Sequence, residues 1–131
     1  MSANTAPIYP QTPIATPAVL NNASGTSTKV AVLTAGTNGT RLDSLHLCLD
    51  DTVAATITFW LNVSSTDYLV GGAVVAAGAG NGVVNFVEGL ASLNAGNALV
   101  LPSGSILKAL VMTTAITAGK TLTITPFGGN Y

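Results

Sequence analysis

The sequence is 131 residues long, 48% apolar and only 7% charged, with a formal net charge of −1. That length fits one domain with a core of its own, whereas a typical soluble domain is about 25% charged. Four Lys and Arg against five Asp and Glu provide no basic field for nucleic acid and no polybasic membrane surface, and so neutral a surface suits a protein that works inside an assembly.

The first residues, Met1 to Thr5, hold neither a basic nor an apolar region, so no secretory signal is expected and cytosolic synthesis is the simplest reading. Pro7, Pro10, Pro13 and Pro17 then punctuate the chain. Proline fixes φ and donates no hydrogen bond, which disfavours both helix and central strand. Residues 1–22 are therefore expected to form an extended N-terminal arm, and residues 23–131 a β-sandwich domain. At polyproline spacing a 20-residue arm reaches roughly 60 Å. Its large apolar residues Ile8, Tyr9, Ile14, Val19 and Leu20 have little use in a solvated tail, so the arm is expected to dock on a neighbouring subunit.

From residue 28 the hydrophobic period is two. Lys29–Leu33 is a first strand, followed by a turn at Asn38-Gly39. Arg41–Leu49 alternates, with Leu45, Leu47 and Leu49 on one face and Ser44, His46 and Cys48 on the other. Ala55–Val63 places Ile57, Phe59, Leu61 and Val63 on one face and Thr56, Thr58, Trp60 and Asn62 on the other. After a Ser64-Ser65 turn, Tyr68–Val75 reads as a strand interrupted by a bulge or bend at Gly71-Gly72. Ala76–Gly82 is a small-residue loop and Val83–Val87 a strand. Gly89–Asn97 is either one helical turn or an irregular crossing. Leu99–Leu101, Ile106–Thr113 and Thr121–Thr125 complete the set. About eight strands separated by turn residues, with no sustained helical period, predict an all-β β-sandwich or jelly roll. No stretch is long and apolar enough for a membrane-spanning helix; the longest candidate, Leu69–Gly80, falls short of about 20 residues.

Candidate chemistry is sparse. His46 and Cys48 are the only histidine and the only cysteine, and two positions apart on a strand they stand roughly 7 Å from each other, too far for a thiolate–imidazole pair. The lone thiol also excludes an internal disulfide. Asp50-Asp51 is expected in a solvated turn; with Asp43 and Asp67 it offers oxygen ligands, but no calcium-loop pattern supports a site. Gly78–Gly82 lacks the following Lys-Ser/Thr, or the helix, that a phosphate loop requires. The sequons at Asn22, Asn38 and Asn62 are expected by chance in a chain so rich in Asn, Ser and Thr. Trp60 is expected to pack against a second layer or another subunit. No catalytic residue, cofactor or metal is predicted, and the chain reads as a non-enzyme.

The rhythm of the whole sequence resembles the small head-decoration (cement) proteins of tailed bacteriophages. The likeness rests on the Pro-rich leader, Thr28–Gly36, Asn38–Leu42, the Thr-rich strand ending in Phe59-Trp60-Leu61, Leu101-Pro102, the Gly119–Thr125 strand and the ending Gly128–Tyr131. It covers residues 17–131 and contains no signature motif. It implies a capsid decoration protein on the virion exterior, synthesised in the host cytoplasm, often a homotrimer, that clamps neighbouring copies of the major capsid protein. No residue-level site follows from it. The interface residues expected from the sequence are Pro7, Ile8, Tyr9, Pro10, Pro13, Ile14, Val19, Leu20 and Trp60, with residues 6–20 docking on capsid protein or a sister subunit. The alternatives are another virion component, from the tail or the head–tail connector, and a surface glycan-binding module.

Overall fold

Alternation of buried and exposed side chains over residues 40–63 sets the architecture. Thr40–Leu49 and Ala55–Val63 each direct one row of aliphatic residues inward, and a strand buried on one face needs a second layer to cover it. A computed structural model describes residues 9–94 and 97–131. It forms two antiparallel sheets packed as a sandwich. The strands are β1 (Thr12–Ile14), β2 (Ala18–Asn21), β3 (Val30–Thr34), β4 (Thr40–Leu49), β5 (Ala55–Val63), β6 (Thr66–Val75), β7 (Val87–Glu88), β8 (Leu99–Leu101), β9 (Ile106–Met112) and β10 (Thr121–Asn130), with one short helix, α1 (Leu90–Asn94). No helix among the described residues is long and apolar enough to cross a membrane.

In the first sheet β10 and β4 run side by side. Both β1 and β2 pair with the outer edge of β10, and both β7 and β8 pair with the outer edge of β4. The second sheet has the order β3-β9-β5-β6. Between them lie Leu42, Leu45, Leu47 and Leu49 of β4, Ile57 and Phe59 of β5, Leu107 and Val111 of β9, and Leu122 and Ile124 of β10. Two antiparallel sheets agree with the expected all-β sandwich; two strands arise from the Pro-rich segment, and the expected strand Val83–Val87 is reduced to its last residue.

That segment is not separate from the domain, and the expected division at residue 22 is corrected. Ala18–Asn21 pairs with Thr121–Ile124, and Thr12–Ile14 with Gly128–Asn130. Leu20 is fully buried in the core. The prolines are accommodated at this edge: Pro10 and Pro17 lie outside the two short strands, and Pro13 sits in the middle of β1, where an edge strand leaves alternate amides unpaired.

β10 also runs five residues beyond the expected Thr125, through Pro126. A proline inside a central strand normally forfeits a ladder hydrogen bond. Here Leu45, its cross-strand partner, donates its amide to Glu88 and accepts at its carbonyl from Gly89. In an antiparallel pair, a residue that turns its polar groups away from its partner implies that the partner does the same. Pro126 therefore faces the opposite edge, at the gap where residues 15–17 separate β1 from β2, and no donor is needed there. Two residues on, a Cβ at Gly128 would overlap the Arg41 carbonyl oxygen, so only glycine fits beside the bulge that β4 makes at Asp43.

The interruption expected at Gly71-Gly72 is a bulge: Phe59 pairs with Gly71 and Trp60 with Leu69, leaving Val70 as the extra residue. Val83–Val87 contributes only Val87 to a strand. The side chain of Asn81 accepts hydrogen bonds from the amides of Val83 and Val84, and the Val84 carbonyl accepts one from Gly80, so these groups are used within the loop. Asp51, expected in solvent, is 3% exposed. It accepts hydrogen bonds from the Thr117 amide at 2.8 Å and the Thr117 hydroxyl at 2.9 Å, fastening the loop after β4 to the loop before β10. The Thr117 amide, then its hydroxyl, hold this carboxyl below its usual pKa, against the opposing effect of desolvation.

Candidate functional site

Each outer sheet face carries one cluster. On the second sheet, alternation along β5 and β9 turns Trp60, Asn62 and Lys108 away from the core, and the β5–β6 hairpin places Asp67 opposite Asn62. That hairpin closes through Ser64 and Ser65, both at positive φ (50° and 65°), the backbone of a two-residue type I′ turn. Asp67 accepts hydrogen bonds from Asn62 Nδ2 at 2.7 Å, Lys29 Nζ at 3.0 Å and Lys108 Nζ at 3.1 Å. The Asn62 amide, then Lys29 and Lys108, hold its carboxyl well below the usual carboxylate range. Lys29 Nζ also lies 4.0 Å from the centroid of the Trp60 ring, a cation–π contact. Trp60 Nε1 donates to Thr58 Oγ1 at 3.0 Å. Two of the chain's four basic residues thus converge on one carboxylate beside its only tryptophan. Around them the face is apolar, with Leu69 and Val74 mostly exposed.

On the first sheet, His46 stacks on Phe86, with ring centroids 4.1 Å apart, and meets the edge of Phe127 at 4.7 Å. Both phenylalanines are more than one-third exposed. Cys48 lies two residues along the same strand and packs beside Gly80. Among the described residues no three His, Cys, Asp or Glu side chains come together as a metal-binding group.

The interface residues expected from sequence do not form one surface. Pro7 and Ile8 lie outside the described residues. Tyr9, Pro10 and Pro13 line a surface cavity of about 350 Å³ with Arg41, Asp43, Gly128 and Gly129. Tyr9 is 70% exposed, Val19 is exposed and Ile14 is half-buried. Leu20 is corrected: it belongs to the chain's own core and presents nothing to a partner. Trp60 is half-buried on the other sheet, away from the β10 edge where the N-terminal strands lie. Sequence reading missed Lys29, Asp67 and Lys108 as a unit, because residues far apart in the chain meet only through the β3-β9-β5-β6 order. The available signal was Lys108, a charge on the outward positions of a strand in a chain with few charges. Phe127 was missed because it stands beyond the strand predicted to end at Thr125, and Phe86 because it lies in the predicted Val83–Val87 strand, of which only Val87 is strand, so its stacking on His46 follows from loop geometry.

The chain matches no family model, no curated protein and no solved structure.

Proposed function

We propose that the chain is a structural, non-catalytic virion protein that decorates and cements a capsid shell, attaching to the major capsid protein as a homotrimer. The observation that carries this reading is the exposure of apolar and aromatic side chains on both outer sheet faces of a sandwich with very little charge. Exposed apolar patches on a surface with so little charge mark sites of protein interaction or of aggregation. The sandwich is further proposed to be a jelly roll. Counting β1 with β2 and β7 with β8 as single positions, the first position pairs with the last, the second with the seventh, the third with the sixth and the fourth with the fifth. That is the pairing of one long antiparallel ribbon wrapped into two sheets, an architecture common in shell-forming and carbohydrate-binding proteins.

Docking by the N-terminal segment is confined in this reading to residues before Thr12, since the strands that follow belong to the first sheet. A glycan-binding module is less well supported, because the Lys29 ammonium already occupies one face of the Trp60 ring. The test is mass spectrometry of purified particles combined with imaging of a labelled chain. Many copies spread over the shell exterior are expected. Absence from the particle would overturn the reading, and confinement to the tail or connector would move it to another virion component.

A further inference from the structure

The outer face of the second sheet combines three properties. It is apolar: Leu69 is 60% exposed and Val74 64%, with Leu110 and Met112 turned outward on β9. It has an aromatic centre in Trp60, which its hydrogen bond to Thr58 and its contact with Lys29 hold in place. It also has an uncompensated charge. Lys29 and Lys108 share the single carboxylate of Asp67, and all three side chains are only 21–29% exposed. One ammonium charge is left over, partly removed from water and surrounded by apolar groups. Electrostatic complementarity selects partners. Two copies meeting face to face through this cluster would set like charges together, which disfavours self-association here.

We propose that this face is the surface that meets the capsid shell, and that the matching shell surface is an apolar protein patch with a carboxylate at its centre, placed to bind Lys108 and Lys29. The proposal rests on the shell-attachment reading and adds the face and its chemistry. Aromatic anchors flanked by apolar contacts carry most of the energy of such interfaces, and the pre-formed Lys–Asp–Lys group lowers the ordering cost of the ionic contact.

The test uses the full chain and shells of the virus that encodes it, assembled without it, in a quantitative co-sedimentation assay. Lys108→Glu and Leu69→Asp are expected to weaken binding by about thirtyfold or more, and Lys108→Met by less. Phe127→Ser, on the opposite sheet, is expected to bind as wild type. Leu69 is a solvent-facing position, so Leu69→Asp keeps the test valid if Lys108→Glu melts early by circular dichroism. Wild-type binding with unchanged affinity in Lys108→Glu and Leu69→Asp would overturn the proposed face and leave shell attachment standing. No binding by the wild type would overturn both. A self-associating wild type, made monomeric by these substitutions in sedimentation velocity, would identify a second copy as the occupant and overturn the proposal.

Discussion

The correction to the N-terminal segment makes a sharp prediction at Leu20. Its side chain is fully buried between the sheets, whereas Val19, its neighbour on the same four-residue strand, is 47% exposed. Truncating a fully buried leucine to alanine costs about 2–5 kcal/mol, the transfer free energy of the lost atoms plus that of the cavity left behind. β2 is a short edge strand and can relax inward, so a value near 3 kcal/mol is expected for Leu20→Ala. For a domain of this size that lowers Tm by roughly 10 °C. Val19→Ala removes a half-exposed group and is expected to cost about 0.5 kcal/mol or less. Far-UV circular dichroism melts, with urea titrations followed by Trp60 fluorescence, measure both variants against wild type. Equal melting of Leu20→Ala and wild type would refute the reasoning and return residues 18–21 to a separable arm. By the same logic, deleting residues 1–11 leaves the fold intact, and deleting residues 1–22 abolishes it.

Replacing Ser64-Ser65 by Asn-Gly relieves two non-glycine residues from positive φ and is expected to raise stability by about 1 kcal/mol, read as a shift in the urea midpoint. Gly128→Ala forces a methyl group onto the Arg41 carbonyl and is expected to cost about 1–3 kcal/mol by the same titration. Asp51→Asn weakens the hydrogen bonds that hold Thr117; a lowered Tm is expected, with faster amide exchange across residues 113–120. Asp67 has a folded pKa below its unfolded value. Its stabilisation is complete above about pH 4, the unfolded value, and is lost as pH falls toward the folded pKa. Melts between pH 6 and 2 are therefore expected to show a decline that begins below about pH 4 and is shallower in Asp67→Asn.

Period-two alternation was enough to place β4, β5 and β9, because Leu45, Leu47 and Leu49, Ile57 and Phe59, and Leu107 and Val111 hold alternate buried positions along them. It failed where local chemistry and tertiary context disagree. Pro126 argues against a strand on local grounds, and only the gap between β1 and β2 makes it harmless. The N-terminal prolines likewise suggested an arm, although Pro10 and Pro17 flank, and Pro13 lies within, short edge strands that β10 receives. The charge cluster was the least legible feature. Lys29, Asp67 and Lys108 are single charges in three separate segments, and no spacing rule links them before the second sheet's order is known.

The proposed attachment through the face of the second sheet has an alternative in its edge, and the distribution of residues on β6 separates the two. An edge strand of ten residues is a ready template for pairing with another chain, and β6 ends its sheet with Tyr68, Leu69 and Val70 exposed. Three features oppose edge pairing. The bulge at Val70 breaks the register a pairing strand would follow. A Cβ at Gly71 would crowd the Ser92 carbonyl and the Leu93 side chain, which shows α1 packed close against the middle of the strand. Asp67, the only charge on β6, is committed to Lys29 and Lys108 on the outer face. The two most exposed apolar side chains of β6, Leu69 and Val74, project from the face beside Trp60 and not along the backbone edge. A partner that covers them approaches face-on, which brings it onto the one place where this charge-poor chain concentrates half of its positive charge.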